Sequence, residues 1–235
     1  MEKLTKEQFL EGQILLIDKP LTWSSFQAVN KIKYTLIKNL DLPKRFKIGH
    51  AGTLDPLATG LLIICTGKFT KRLSELQGQI KEYTGTITVG ATTPSYDLET
   101  EINETFPTTH VTAELIEQTK KQFIGTIEQF PPIFSAIKKD GKRLYEHARK
   151  GEEIEIQSRK IEISEFEITR IELPEVDFRV VCSKGTYIRS LAYDFGKALK
   201  SGAHLTALRR TKIGNFSVDN AVEPLDFEKI YKLDL

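Results

Sequence analysis

Cysteine is nearly absent from this chain: only Cys65 and Cys182 occur in 235 residues. Each lies in an apolar run, LLIICTG and FRVVCSK, which points to reduced, buried packing and excludes a disulfide framework. Neither CxxC nor HExxH is present, and His50, His110, His147 and His204 lack the spacing of metal ligands, so no metal is expected. No apolar run approaches the roughly 18 residues that cross a bilayer, and MEKLTKEQFLEG carries both charge signs. A cytoplasmic protein with no membrane association is therefore expected. An excess of one charge is missing too: 34 Lys and Arg face 32 Asp and Glu, a net charge of +2. Any nucleic-acid surface must be a local patch, and four basic runs offer one: 44–47, 68–72, 138–150 and 209–212. There is no G-x-S-x-G and no G-x-G-x-x-G. Gly67-Lys68 resembles the end of a phosphate-binding loop, but Leu62 stands where its first glycine is required and Phe69 where Ser or Thr would hold magnesium. Neither ATP nor a redox cofactor is expected.

What remains is ordinary for a globular protein, with 40% hydrophobic and 28% charged residues. GQILLIDKP reads as a buried strand ending in a turn. A helix follows, offered N-caps by Thr22, Ser24 and Ser25, with Phe26, Val29, Ile32 and Leu36 at helical spacing and Pro43 beyond its end. Residues 49–60, GHAGTLDPLATG, read as a loop, LLIICTG as a strand, and FTKRLSELQ as a short helix. YTGTITVG alternates like a strand, and ATTPSYDLETE is polar and turn-like. Thr112 caps a helix with Leu115, Ile116 and Phe123 on its apolar side, and a short helix is expected from Leu144 to Lys150. From Glu153 to Ser183 the pairs Ile154/Ile156, Ile161/Ile163 and Phe166/Ile168, followed by VDFRVVC, suggest successive hairpins. A last strong helix carries Ile188, Leu191, Ala192, Phe195 and Leu199, with Gly202 just past its end. The class is α+β with a mixed, largely antiparallel sheet flanked by helices. No repeat or linker divides the chain, so residues 1–235 are expected to form a single catalytic domain.

GHAGTLDPLATG is the segment that stands out chemically. Its small residues let the backbone approach a partner closely while one imidazole and one carboxylate project. Taken by itself it fits a glycine-rich turn in which Pro56 holds Asp55 extended. The longer run GHAGTLDPLATGLLIICTGKFTK, however, resembles the active-site motif of the bacterial TruB-type tRNA pseudouridine-55 synthases, in which a Gly-His-x-Gly-x-Leu-Asp-Pro core surrounds the catalytic aspartate. ILLIDKPLTWSS, KEYTGTITVGATTPSYDLE, FPPIFSAIKKDGKRLYEHARKG, SKGTYIRSL and GAHLTALRR are similar, in order and spacing, to further segments of that family. Together they cover most of residues 12–214.

The resemblance implies a pseudouridine-synthase catalytic fold that flips a uridine of the tRNA T-arm into a pocket and isomerises it without a cofactor. It makes Asp55 the catalytic carboxylate, acting either as nucleophile or as initiator of sugar deprotonation. Tyr83 would stack on the uracil and handle a proton, and Tyr187 and Leu208 would line the base. Arg189 would hold Asp55 ionised, and His50 would contact the RNA. Read without the resemblance, Arg189 is equally a solvated helix-face charge and Tyr83 edge packing. Lys19 and Pro20 would form the floor of the site, and Asp97 matches an acidic position to which no role is assigned. The extra C-terminal RNA-binding domain common in bacterial relatives is expected to be absent after the GNFS segment. A stand-alone enzyme that needs no guide RNA is therefore expected, and the resemblance by itself implies a monomer. The rival reading is a non-catalytic RNA-binding protein that unfolds and releases the tRNA elbow.

Overall fold

The computed structural model describes residues 3–135, 138, 139, 142–144 and 156–232. In chain order these form α1 (Lys6–Glu11), β1 (Ile14–Lys19), α2 (Ser25–Leu40), β2 (Ile48–His50) and β3 (Ala58–Thr66). After a 3₁₀ turn at Gly67–Arg72 come α3 (Leu73–Gly78), β4 (Lys81–Val89), β5 (Ala91–Thr92), β6 (Glu104–Thr105) and α4 (Ala113–Lys120). Then follow β7 (Gly125–Gln129), β8 (Lys138–Lys139), β9 (Lys142–Arg143), β10 (Arg159–Glu172) and β11 (Glu175–Cys182). The chain continues through α5 (Ile188–Ala198), β12 (Ala203–Ile213), β13 (Phe216–Ser217) and α6 (Pro224–Tyr231). Two compact units result: Met1–Tyr83 with Arg209–Leu235, and Thr84–Leu208.

In the first unit the central element is β3. It pairs antiparallel with β1, setting Ile17 opposite Leu62 and Lys19 opposite Gly60, and with β2, setting His50 opposite Ile64. Leu61 to Cys65 are all fully buried because both faces of the strand are covered. Leu62 and Ile64 pack with Val29, Ile32, Leu36, Phe227 and Tyr231, whereas Leu61, Ile63 and Cys65 pack with Leu76, Ile213 and Val218. That two-sided cover is why LLIIC is unbroken in hydrophobicity instead of alternating. Helix α2 starts at a capping box in which the Ser24 hydroxyl accepts from the Gln27 N–H, so the anticipated cap is present. Its buried stripe is Ala28, Val29, Ile32 and Leu36. Phe26, assigned to that stripe from its spacing, is instead 69% exposed: Ser25 before it and Ala28 after it are buried, and Phe26 lies off the face they mark. Helix α6 closes the unit: Tyr231 stands edge-on to Phe9 at 5.5 Å, and its hydroxyl accepts from the Leu4 N–H.

In the second unit β10 lies between β11 and β7, antiparallel to both. Where successive hairpins are expected over 153–183, the described residues from 156 onward form a single long hairpin. Ile161/Ile163 and Phe166/Ile168 share the 14-residue β10, whose register shifts twice against β11, between Ile163 and Glu165 and between Ile168 and Arg170. Those irregularities let one strand carry two apolar pairs out of simple alternation. Ile154 and residues 145–150 of the expected short helix lie outside the described residues. Phe123, Phe166, Phe178 and Phe195 pack edge-to-face with centroids 5.7–6.5 Å apart, joining β10, β11 and α5 into one core. The polar segment after β4 does turn, yet Thr92, Thr93, Ser95 and Asp97 are buried.

The α+β class is as expected. The named strand pairs are antiparallel, and a parallel bridge joins Ile17 to Val222. Both cysteines are buried. Among the described residues no helix is long and apolar enough to cross a membrane.

Gly60 shows how closely the first unit is packed. Its φ is +102°, and a Cβ there would lie 2.3 Å from the Arg210 carbonyl oxygen and 2.8 Å from the Arg210 nitrogen. Backbone cannot yield as a side-chain tip can, and the dihedral is unfavourable for any L residue. Gly60→Ala is expected to cost about 2 kcal/mol or more and to lower the thermal unfolding midpoint by roughly 5 °C or more. A calorimetric scan of the two proteins measures it.

Candidate active site

The turn that presents Asp55 spans residues 51–57, because 49–50 belong to β2 and 58–60 to β3. Its backbone is tied at several points. The Ala51 N–H donates to the Ile63 carbonyl at 2.9 Å, and the Ala58 N–H to the Asp55 carbonyl at 3.1 Å. The Ser25 hydroxyl accepts from the Leu54 N–H at 2.8 Å and donates to the Leu54 carbonyl at 3.1 Å. The Thr22 N–H donates to the Pro56 carbonyl at 2.9 Å. Asp55 itself is half-buried.

Two buried cations underlie this turn. Lys19 is fully buried, and its ammonium donates to the carbonyls of Trp23 at 2.6 Å, Pro20 at 2.9 Å and Pro56 at 3.5 Å. Burial brings its pKa down from 10.5 to about 8; Asp55 opposes that shift, Arg210 adds to it, and Asp18 opposes it. Arg210, 1% exposed, donates from Nε to the Leu61 carbonyl at 2.8 Å and from Nη2 to the Gly52 carbonyl at 3.1 Å. His50, on β2, is half-buried. Its pKa is lowered chiefly by burial, with a backbone hydrogen bond at Gly52 opposing and Arg210 reinforcing, so the imidazole is neutral at pH 7. Tyr83, on β4, is 8% exposed.

The 209–212 run, expected among the phosphate contacts, is committed to internal bonds. Besides buried Arg210, Arg209 holds Asp18 through two hydrogen bonds of 2.6 and 3.0 Å, and Lys212 stands 3.3 Å from Glu82. In the 68–72 run, Lys68 pairs with Glu11 and Arg72 with Glu75. Lys44, Arg45 and Lys47 are exposed.

The second unit holds Tyr187, Arg189 and Leu208. Arg189 is 4% exposed, which rules out a solvated helix-face charge. It donates from Nη1 to the Ser95 carbonyl at 3.2 Å and from Nη2 to the Phe134 carbonyl at 2.9 Å, and its Nε lies 3.6 Å from the Asp97 carboxylate. Asp97, left without a role by the sequence, is thus a buried counter-charge that also accepts from the Glu99 N–H at 3.0 Å. Tyr96, at φ 64°, stacks on Tyr193 with centroids 4.0 Å apart. Tyr187 is the N-cap residue of α5. The Gln129 side chain brackets its backbone, accepting from its N–H at 2.8 Å and donating to its carbonyl at 3.0 Å, and the Arg159 guanidinium lies 5.3 Å from its ring. Leu208 is half-buried on β12. The six residues singled out from the sequence therefore divide three and three: His50, Asp55 and Tyr83 in one unit, Tyr187, Arg189 and Leu208 in the other.

Lys19 sets a pH signature. Its folded pKa lies below the unfolded value, so between about pH 8 and pH 10.5 the unfolded chain binds the extra proton, and stability from this group rises with pH. Relative to Lys19→Met, the parent protein is expected to gain up to about 3 kcal/mol of unfolding free energy across that window. Urea titrations of both proteins at pH 7.5 and pH 10 measure the difference; a gap that stays constant or narrows contradicts it.

Comparison with known proteins identifies the family. The model for the TruB family pseudouridylate synthase (N terminal domain) matches residues 39–188, and that for the tRNA pseudouridylate synthase B C-terminal domain matches residues 189–234. A tRNA pseudouridine synthase B of Flavobacterium johnsoniae is 75% identical over 226 residues, covering 96% of this chain and 99% of that protein. One of Parabacteroides distasonis is 56% identical, covering 94% and 93%. Among solved structures, a Cbf5-Nop10-Gar1 complex contains a chain that matches with a TM-score of 0.69 at 30% identity; the match covers 94% of this chain and 54% of that one. The archaeal box H/ACA sRNP Nop10-Cbf5 complex gives a TM-score of 0.67 at 27% identity, covering 95% and 54%. The chain belongs to the TruB family of pseudouridylate synthases.

Proposed function

We propose that this chain is a tRNA pseudouridine synthase that flips the T-loop uridine at tRNA position 55 out of the RNA and isomerises it with Asp55 as the essential carboxylate. The observation that carries the reading is the way Asp55 is presented: a half-buried carboxylate on a turn whose carbonyls are held by two buried cations, Lys19 and Arg210. Such anchoring suits a group that must meet a sugar carbon at a fixed distance. The reaction breaks the bond between N1 of uracil and C1′ of ribose and makes one between C5 and C1′. The C5 proton leaves and N1 gains one, so no oxidant, metal or group donor is consumed. Asp55 acts either by attacking C1′ or by starting deprotonation of the sugar.

The other roles follow from the motif likeness together with residue chemistry. Tyr83 stacks on the extruded uracil and serves as the proton-handling group, Tyr187 and Leu208 each contact the base, and water is kept from it once detached. Arg189, whose guanidinium is shielded from solvent, is the arginine of the family motif and supplies positive charge to the reaction. His50, neutral at pH 7, contacts the RNA. The enzyme works as a cytoplasmic monomer without a guide RNA. Exposed Lys44, Arg45 and Lys47 supply phosphate contacts, which makes binding sensitive to salt.

A T-arm transcript incubated with the protein alone, with no metal, nucleotide or guide RNA, is expected to show one uridine converted to pseudouridine by chemical mapping. Asp55→Asn should bind the transcript with its affinity intact and lose turnover by about a thousandfold or more. Turnover in that variant near the parent level, or no conversion of any tRNA transcript by the parent protein, would overturn the assignment in favour of a non-catalytic RNA-binding role.

A further inference from the structure

Residues 54 and 56, on either side of Asp55, are both gripped by the same short stretch, the turn from β1 into α2. From one end, the Ser25 hydroxyl spends both its accepting and its donating capacity on a single residue, taking the Leu54 N–H at 2.8 Å and giving its proton to the Leu54 carbonyl at 3.1 Å. Ser25 is 2% exposed and Leu54 4%, so water cannot stand in for either bond. From the other end, the Thr22 N–H reaches the Pro56 carbonyl at 2.9 Å. Thr22 makes that contact from φ 68°, a conformation that a β-branched residue adopts only when its surroundings impose it. The left-handed twist is what turns its N–H toward residue 56. A residue whose two neighbours are pinned has little freedom left in its own φ and ψ, so the direction in which the Asp55 carboxylate leaves the chain is set by the turn at residues 22–25.

We propose that Thr22 and Ser25 form a two-point clamp that aims the Asp55 carboxylate, and that Ser25 is a positioning residue for the isomerisation while touching no substrate itself. The inference rests on the reading of Asp55 as the essential carboxylate and adds to it a requirement on neighbouring backbone. Ser24 supplies a control within the same turn. Its hydroxyl caps α2 by accepting from the Gln27 N–H, so Ser24→Ala weakens the same helix start without removing either bond to Leu54.

The test compares steady-state kinetics on a T-arm transcript, and melting temperatures, for the parent, Asp55→Asn, Ser24→Ala, Ser25→Ala and Ser25→Cys. Ser25→Ala is expected to lower kcat about tenfold or more with KM for the transcript within about twofold of the parent. Ser24→Ala is expected to lower the melting temperature while leaving kcat within about twofold when assayed well below unfolding. Ser25→Cys, close in volume but a weaker hydrogen-bonding group, should melt near the parent and still show a reduced kcat; it decides the matter if the alanine variant does not fold. A parent-like kcat in either Ser25 variant, or equal losses of kcat in Ser24→Ala and Ser25→Ala, overturns the clamp. Turnover in Asp55→Asn removes the underlying reading and the clamp with it, whereas an inactive Asp55→Asn beside an active Ser25→Ala removes the clamp alone.

Discussion

Charged groups shut away from water and solvated by main-chain carbonyls are the constraint on which the first unit turns. Arg210 bonds the carbonyls of Leu61 and Gly52, and Lys19 those of Trp23, Pro20 and Pro56. A buried cation without such partners is strongly disfavoured, and a turn of glycine, alanine and threonine has little side-chain packing with which to hold its shape. Each defect answers the other. The carbonyls satisfy the cations, and the cations fix the carbonyls, so the backbone around Asp55 is held by electrostatics where apolar packing could not hold it.

The same device recurs in the second unit with a carboxylate added. Arg189 bonds the carbonyls of Ser95 and Phe134 while Asp97 stands beside it in the interior. That accounts for the buried polar segment 92–97: its residues are inside because they solvate one another and a guanidinium, not because they are apolar. Arginine suits both places better than lysine would, since its fork reaches two separate carbonyls at once and stays charged when desolvated. Lys19 lacks that second property. Its depressed pKa reflects the cost of keeping a compact ammonium in the same kind of setting.

What could be read from the sequence followed from local rules. The Ser24 cap, the apolar stripe of α5 and the buried run of β3 each leave a mark within a few residues, and each is where it was expected. Long-range partnerships leave no such mark. Arg210 sits in a run, RRTK, that reads as a charged surface, and its acceptors lie 149 and 158 residues away. Asp97 was legible only as a match to an acidic position of the family, with no role attached. The hairpin count over 153–183 failed because a bulged strand breaks the period of two on which the count depends, and Phe26 failed because it lies off the face that Ser25, Ala28, Val29 and Ile32 mark. Asp55 itself was legible by likeness to a family and not by chemistry, since an aspartate before a proline in a small-residue loop is an ordinary turn.

Local strain points the same way as the buried charges. Thr22 and Tyr96 are both bulky residues at positive φ, each costing on the order of 1–3 kcal/mol against a relaxed backbone. One precedes the helix whose first residue grips Leu54, and the other precedes Asp97 beside Arg189. Strain of this size persists only where neighbouring contacts over-determine the chain. In both units those contacts are the hydrogen bonds around a charged side chain. Relaxing either turn would therefore redirect a carbonyl or an N–H on which such a charge depends, and stability gained at the backbone would be lost in the orientation of the group that the turn presents.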